Sequence, residues 1–192
     1  MSTDPPAARK PRADAQRNRQ RLLDAAREAF QQSGTSASLE EIASSAGVGI
    51  GTLYRHFPTR DELIAEVYRS EAAKLAEAAG RLAETEPPLD ALRKWLLLFV
   101  DYLATKLILV EAFRSMVGDM SRLTATSGDL LSPAITMLVE RAVASGEIKD
   151  EGHDPVDLLR ALSGVAFAGA GPDWAPAARR MVDLLIAGLR RN

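Results

Sequence analysis

Apolar residues recur at helical spacing along most of the chain, beginning near residue 15. From about Ala15 they fall on one face of a helix, and Gly34 ends the pattern where a residue with positive φ is a useful cap. That face consists of Leu22, Leu23, Ala26, Ala29 and Phe30. Since no run of alternating β-branched residues occurs, the pattern predicts an all-α chain.

Two short helices with well-marked ends are predicted next. Ser38–Glu41 is a capping box, in which the hydroxyl and the carboxylate can each accept from a free backbone N–H, and Gly47 stops the helix after barely two turns. A second short helix runs from about Ile50 to His56 and is ended by Pro58. Another capping box, Thr59–Glu62, then opens a long helix that extends to about residue 82.

Longer and more apolar helices are predicted after a pair of prolines at 87 and 88. They cover about 88–104, 107–119, 128–145, 155–170 and 175–190. Pro133 requires either that its helix begins at Ser132 or that the helix is kinked. Asp154 is placed to cap the next helix, with a proline at its first position.

Charge divides the chain into a basic end and an acidic body. Residues 1–60 hold nine Arg or Lys against six Asp or Glu, whereas 61–192 hold fifteen against twenty. The net charge of -2 therefore conceals a positive N-terminal region, whose cations are concentrated between Arg9 and Arg21. Such asymmetry is expected where one end meets a polyanion, although a solvated basic tail would look the same.

Several classes of function are excluded or disfavoured. The chain has no cysteine, so disulfides and thiolate sites are ruled out, and its two histidines stand far apart in sequence. We expect no metal and no cofactor. The N-terminus lacks the apolar segment of a signal peptide, and no apolar run approaches the length of a membrane helix. The expected location is the cytoplasm, without a membrane partner.

The two short helices have the features that a helix-turn-helix needs. Ala46-Gly47-Val48 supplies a tight turn, and the second helix starts with small or weakly polar side chains that could enter a major groove. Gly51 would let the backbone approach a base edge, while Ile50 and the Thr52 methyl could meet a thymine methyl. Donors suited to phosphates follow at Tyr54, Arg55 and His56.

The segment from Gly47 to Ala65 resembles the helix-turn-helix of the tetracycline-repressor (TetR) family of bacterial regulators, through its order of Gly, Leu-Tyr, His-Phe and acidic-Leu. The resemblance covers about 17–66 and implies base-facing residues at 50–52, with phosphate contacts beside them. With the basic residues of the first helix, the expected DNA-contacting set is Arg17, Arg21, Ser38, Ile50, Gly51, Thr52, Tyr54, Arg55, His56 and Arg60. Gly49, where Ser is common, and Glu40, where some members are basic, depart from the pattern.

A stripe of aromatic residues and methionines marks the larger region, and such a stripe fits either a core or an adaptable ligand pocket. Segments 102–107 and 131–148 resemble, more loosely, the SbtR-like subgroup of C-terminal domains. That resemblance implies a small-molecule pocket, and the scarcity of charges indicates an apolar or weakly polar effector. The expected lining is Trp95, Phe99, Tyr102, Phe113, Met116, Met120 and Met137.

The last two helices carry small and branched apolar residues that either close the core of the monomer or form an interface. The family resemblance implies a four-helix interface between two subunits, which a paired recognition helix would also require. The residues expected there are Leu158, Leu162, Val165, Met181, Leu184 and Leu185.

Taken together, the sequence predicts a basic disordered arm over 1–16, a helix-turn-helix DNA-binding domain over 17–66 and a helical ligand-binding and dimerisation domain over 67–192. The predicted protein is a homodimeric repressor that a small apolar ligand releases from a palindromic double-stranded operator. Two alternatives remain at this stage, an all-α enzyme with an apolar substrate cavity and a dimeric adaptor that does not bind DNA.

Overall fold

The structure, a computed structural model, describes residues 9–114, 120–149, 152–168 and 173–190, with side chains for 13–34, 36–108, 127–149, 152–168 and 173–190. Within these ranges the chain folds into helices and short connections, which confirms the all-α prediction. The helices are α1 (Arg9–Ser33), α2 (Leu39–Ser45), α3 (Ile50–His56), α4 (Arg60–Thr85), α5 (Pro88–Arg114), α6 (Met120–Ala144), α7 (Val156–Ala168) and α8 (Trp174–Leu189).

The chain divides into two compact units. The first comprises the described parts of Met1–Val67 and Ile108–Gly118, and the second those of Tyr68–Leu107 and Asp119–Asn192. The assignment of residues 108–114 to the first unit was not anticipated, because the sequence pattern gave them only as part of a helix of the larger domain.

The first unit is built on α1, against which α2 packs, and α3 packs on α2 in turn. Its core consists of fully buried side chains from each of these helices and from the start of α4, namely Leu22, Phe30, Ile42, Leu53 and Leu63. A short 3-10 helix, Gly34–Ser36, joins α1 to the connection before α2. These contacts fix α3 relative to the rest of the unit.

The turn between α2 and α3 has the form that its glycine predicts. Gly47 adopts a φ of 65°, the left-handed conformation that a side chain disfavours. The Val48 N–H donates to the carbonyl of Ala43 at 3.0 Å, and the Gly47 N–H to that of Ser44 at 2.9 Å. This pair of bonds satisfies the last carbonyls of α2 and turns the chain directly into α3.

The second unit contains the larger core. Its fully buried residues come mainly from α5 and α6 and include Trp95, Leu96, Leu103, Ile135 and Leu138. The helices α7 and α8 pack against each other, and α6 contacts α7. The end of α8 is tied to the connection after α6, because Lys149 N–H donates to the Leu189 carbonyl at 3.2 Å beside an isolated bridge between Ile148 and Arg190.

Three helix boundaries differ from the predicted ones. The first helix begins at Arg9 rather than near Ala15, so the latter half of the predicted arm is helical. Pro11 permits this because its missing N–H falls among the donors that the first turn leaves unpaired. The helix α5 continues through the expected break at 105–106, where neither proline nor glycine interrupts it. In α6, Pro133 lies inside the helix and is exposed, so water can satisfy the carbonyl it leaves unpaired.

Candidate functional site

The start of α3 presents its first residues to solvent. Ile50 is 36% exposed although it is a large apolar side chain, Gly51 is exposed and Thr52 is half-buried. The helix opens at Gly49, whose carbonyl accepts from the Thr52 N–H at 2.8 Å. Because Leu53, the next residue, is completely buried, this exposed edge is held in a fixed orientation.

Arg55 lies along the same edge and is bound to it. Its Nε donates to the Gly51 carbonyl at 3.1 Å, and its Nη2 donates to the Thr52 hydroxyl oxygen at 3.2 Å. The Thr52 oxygen is therefore used as an acceptor, which leaves its O–H to donate to an external acceptor. Sequence reasoning gave Arg55 a phosphate contact but did not anticipate that it would orient Thr52.

Two further predicted contacts lie beyond this edge on the second turn of α3. Tyr54 is 46% exposed, so its hydroxyl reaches solvent rather than the core. His56 is half-buried, and its ring lies 6.2 Å from that of Phe57, which is buried. Both side chains are positioned by the buried residues that alternate with them.

The basic residues of α1 fall into two groups. Arg17 is exposed and forms an ion pair with Asp14, while Arg21 donates weakly to the Gly47 carbonyl at 3.4 Å and so reaches the turn before α3. Arg19, one of the basic residues of the N-terminal region for which the sequence left either a phosphate contact or a solvated face open, pairs with Glu66 at 2.7 Å and lies over the Phe57 ring at 5.3 Å. Arg19 is thus engaged within the unit, whereas Arg17 remains on its surface.

Ser38 acts as the cap that the sequence predicts. Its oxygen accepts from the Glu41 N–H at 3.3 Å and its hydroxyl donates to the Glu40 carboxylate at 2.9 Å. The backbone N–H of Glu40 and the Ser38 hydroxyl lower the pKa of the Glu40 carboxyl. An acidic group therefore stands beside Ser38 at the start of α2, which disfavours a phosphate there.

The Arg60 side chain makes its contacts within the first unit. Its Nη1 donates to the Ala37 carbonyl at 2.6 Å, and its guanidinium carbon lies 5.3 Å from the centre of the Phe30 ring. The sequence placed Arg60 on the DNA backbone, but in the structure it joins α4 to α1 and to the connection before α2.

The aromatic residues of α5 form one buried row in the second unit. The Trp95 and Phe99 rings stack with their centres 6.2 Å apart, and Phe99 lies 5.9 Å from Tyr102. Trp95 Nε1 donates to the Leu75 carbonyl at 2.8 Å, and the Tyr102 hydroxyl donates to Ser127 at 3.1 Å. Burial, followed by the neighbouring Tyr68, raises the pKa of the Tyr102 hydroxyl far above its usual value, so this phenol stays protonated.

Of the remaining predicted pocket residues, only Met137 has a described side chain. Met137 is half-buried, whereas the side chains of Phe113, Met116 and Met120 lie outside the described residues. A cavity of about 470 Å³ is lined instead by the ends of α6 and α8 and the start of α7, including Val143, Leu158, Leu184 and Leu185. None of the predicted pocket residues lines this cavity.

The predicted interface residues differ widely in exposure. Leu184 is 65% exposed, and Leu158, Val165, Met181 and Leu185 are half-buried. Leu162 is completely buried within its own chain, so its assignment to a subunit interface is wrong. Its place on the inner face of α7, which packs on α8, explains the burial.

Comparisons with known proteins place this arrangement in a family. Residues 22–67 match the model of bacterial regulatory proteins of the tetR family, and residues 87–191 match the C-terminal domain of SbtR-like transcriptional regulators. The transcriptional regulator AcrR of Shigella flexneri is 38% identical over 93 residues, which are 47% of this chain and 43% of AcrR. The chain thus matches less than half the length of that relative.

Solved structures extend the likeness to nearly the whole chain. The TetR regulator SCO0520 of Streptomyces coelicolor is 41% identical, with a TM-score of 0.79 over 91% of this chain and 99% of that one. A TetR regulator of Mycobacterium vanbaalenii is 29% identical, with a TM-score of 0.77 over 94% and 99%. These relatives are regulators, so the alternative of an all-α enzyme finds no support among them. The chain belongs to the TetR family of bacterial transcriptional regulators and carries an SbtR-like C-terminal domain.

Proposed function

We propose that the protein is a repressor that binds a two-fold symmetric operator as a homodimer and leaves it when a small molecule binds in the second unit. The observation that carries the proposal is the exposed start of α3. There Ile50 and Gly51 are exposed and Thr52 is half-buried at the start of a short helix whose next residue, Leu53, is completely buried. A rigid helix start with small side chains suits insertion into a major groove.

The chemistry of that edge favours base recognition. Ile50 and the Thr52 methyl offer apolar contact to a thymine methyl, and the Thr52 O–H can donate to a base acceptor. Tyr54 and Arg17 supply exposed donors for phosphates around the edge, and the half-buried His56 lies beside Tyr54 on the same turn. Because base contacts through Ile50 carry no hydrogen bond, much of the affinity should come from the phosphates.

Two other arginines have contacts within the first unit that favour a different role. Arg60 is engaged with Ala37 and Phe30, and Arg19 with Glu66 and Phe57. We therefore propose that both residues position the helix-turn-helix, instead of the phosphate contact expected of Arg60.

A dimer follows from the size of the reading surface. One start of α3 reads only a few base pairs, whereas two copies related by symmetry read half-sites about 34–36 Å apart. The exposed face of α8, marked by Leu184, is the part of the described chain that we assign to the partner subunit.

The experiment begins with operator selection. Duplexes are selected from a random pool with the full-length protein, and affinity for the winning sequence is then measured by fluorescence anisotropy at 50 and 200 mM salt. A dimer that contacts roughly 6–10 phosphates should lose about 10³–10⁵ in affinity over this range. The Thr52→Ala protein should change the base preferred at one symmetric pair of positions. Arg81→Gln, which alters an exposed α4 residue paired with Glu77, serves as the control.

Selection of a sequence without two-fold symmetry, or a flat salt response, would contradict the proposal. A Thr52→Ala protein that keeps the wild-type preference would remove α3 from base recognition even if DNA still binds.

A further inference from the structure

The second unit buries a hydroxyl that no described residue satisfies. Tyr68, on α4, is only 2% exposed, and its hydroxyl has no hydrogen-bond partner within the described part of the chain. A buried polar group of this kind costs stability unless another group pairs with it. Such a group is a candidate contact for a ligand.

A cation lies against the same ring. The Lys106 ammonium is 5.9 Å from the centre of the Tyr68 ring and 5.8 Å from that of Phe167. Lys106 is half-buried, and among the described residues it contacts these two rings without a carboxylate to balance its charge. Aromatic faces only partly replace the water that a partly desolvated ammonium loses.

The neighbouring polar groups already have partners. Glu71 pairs with Lys74 at 3.0 Å, and the Tyr102 hydroxyl donates to Ser127. Tyr68 is close enough to raise the pKa of the Tyr102 hydroxyl. The Tyr68 hydroxyl nevertheless has no partner of normal hydrogen-bond geometry among the described residues. The groups that remain for a ligand are the Tyr68 O–H, which is buried without a partner, and the Lys106 ammonium, which is half-buried and has no carboxylate partner among the described residues.

We propose that Tyr68 and Lys106 form the polar end of the effector site and that the effector is an organic carboxylate with an apolar body. One carboxylate oxygen would accept from the Tyr68 hydroxyl, and the negative charge would pair with Lys106. This inference rests on the proposed function, since it specifies the molecule that binds in the second unit.

Charge decides between a carboxylate and a neutral acceptor. A carbonyl or an ether could satisfy the Tyr68 hydroxyl but would leave the Lys106 charge without an anion. A carboxylate meets both needs at once, because its two oxygens accept hydrogen bonds and its charge makes those bonds stronger. The sequence had indicated an apolar or weakly polar effector, and the structure adds an anionic group to that description.

The test uses three acids and their methyl esters as probes, namely benzoate, 2-naphthoate and decanoate. Each pair shares one body and differs in the charge that Lys106 would recognise. Dissociation constants are measured by calorimetry with the full-length dimer in the absence of DNA. In the wild-type protein we expect at least one acid to bind on the order of tenfold more tightly than its ester, the scale of a charge-assisted hydrogen bond.

Two variants assign that preference to its residues. Lys106→Gln should remove the preference for binding the acid over its ester. Tyr68→Phe should raise the dissociation constant of the acid by on the order of tenfold. Lys94→Gln is the matched control, since Lys94 is an exposed lysine of the same helix paired with Glu86 at 2.5 Å. It should bind every probe as the wild type does. The melting temperature of Tyr68→Phe without ligand should not fall, because the substitution removes an unsatisfied hydroxyl.

The inference is overturned if no acid binds the wild-type protein, if acid and ester bind equally, or if Lys106→Gln retains the preference. A lower melting temperature for Tyr68→Phe would show that its hydroxyl is already satisfied. Operator binding is measured separately on the same preparations. Symmetric, salt-dependent DNA binding without carboxylate binding would therefore refute this inference and leave the proposed function standing.

Discussion

Arg60 and Ala37 are joined by a hydrogen bond of 2.6 Å from the guanidinium to the backbone carbonyl, across 23 residues of sequence. The bond fastens the start of α4 to the connection that precedes α2. With the Phe30 ring beneath the same guanidinium, one side chain links α4 to both earlier parts of the first unit. The orientation of the helix-turn-helix thus depends on a residue that faces inward.

Replacing Arg60 should therefore lower the free energy of unfolding. Arg60→Gln loses a hydrogen bond from a charged donor and a cation–π contact, which together contribute about 1–3 kcal/mol to the free energy of unfolding. Urea denaturation followed by circular dichroism measures this loss, with Arg81→Gln as the exposed control. If Arg60→Gln is as stable as the wild type and its DNA binding depends less on salt, Arg60 contacts a phosphate instead.

Two glycines of the helix-turn-helix should respond in opposite ways to alanine. Gly47 has a φ of 65°, and an added Cβ would also meet the Arg21 side chain, so Gly47→Ala should cost roughly 1–2 kcal/mol. Gly51 is helical with open space around it, so Gly51→Ala should stabilise the protein by roughly 0.5–1 kcal/mol. The same methyl group would stand between α3 and the bases and should weaken operator binding by about tenfold.

Thermal denaturation and anisotropy on the two variants separate these effects. A Gly51→Ala protein that is more stable and binds DNA equally well would contradict the placement of Gly51 against the groove.

The parts of the fold that were predictable are those controlled by local chemistry. Ser38, Gly47 and Thr59 mark helix ends through hydrogen bonds and a backbone conformation that depend on a few neighbouring residues, and the structure reproduces those ends. The exposure of Ile50 and Tyr54 follows from the same short-range periodicity. Pro11, by contrast, lies in the arm predicted to be disordered, but a proline in the first turn does not oppose a helix, and α1 begins at Arg9.

The parts that were missed depend on contacts between distant residues. Arg60 and Arg19 have the charge and position of phosphate-binding residues, and only their packing on Phe30 and Phe57 shows that they are engaged. Lys106 appeared in the sequence merely as an interruption of an apolar run. Its proximity to Tyr68, 38 residues away, is set by the packing of α4 on α5, for which a single sequence has no signal.

The carboxylate at the start of α7 should make the stability of the protein depend on pH in the acidic range. Asp154 accepts from the Val156 N–H at 3.0 Å and pairs with Arg160 at 2.9 Å, and these contacts, the backbone bond first, lower the pKa of its carboxyl. A carboxyl whose pKa is lower in the folded state stabilises the fold above its unfolded pKa, and the contribution disappears as the pH falls through the folded value. Asp154→Asn should therefore lower the melting temperature by a few degrees at most near neutral pH.

The difference between Asp154→Asn and the wild type should shrink as the pH falls below the ordinary range of an aspartate. Asp173→Asn provides the comparison, because Asp173 precedes α8 without making a capping hydrogen bond. Equal effects of the two substitutions, or a difference that persists in acid, would show that the charge of Asp154 does not contribute, since asparagine can still accept the capping hydrogen bond.

The exposed face of α8 should control the oligomeric state. Leu184 is 65% exposed, which is unusual for a leucine unless another surface covers it, and it lies beside the half-buried Leu185 and Met181. A charge at this position would be desolvated by a partner subunit but solvated in a monomer. Leu184→Glu should therefore yield a folded monomer by light scattering, with an unchanged helical circular dichroism spectrum and operator affinity reduced to that of single half-sites. Leu98→Glu, at a 41% exposed leucine of α5 outside the proposed interface, should remain dimeric. If Leu184→Glu stays dimeric at micromolar concentration while Leu98→Glu dissociates, the subunits associate through the face of α5 instead.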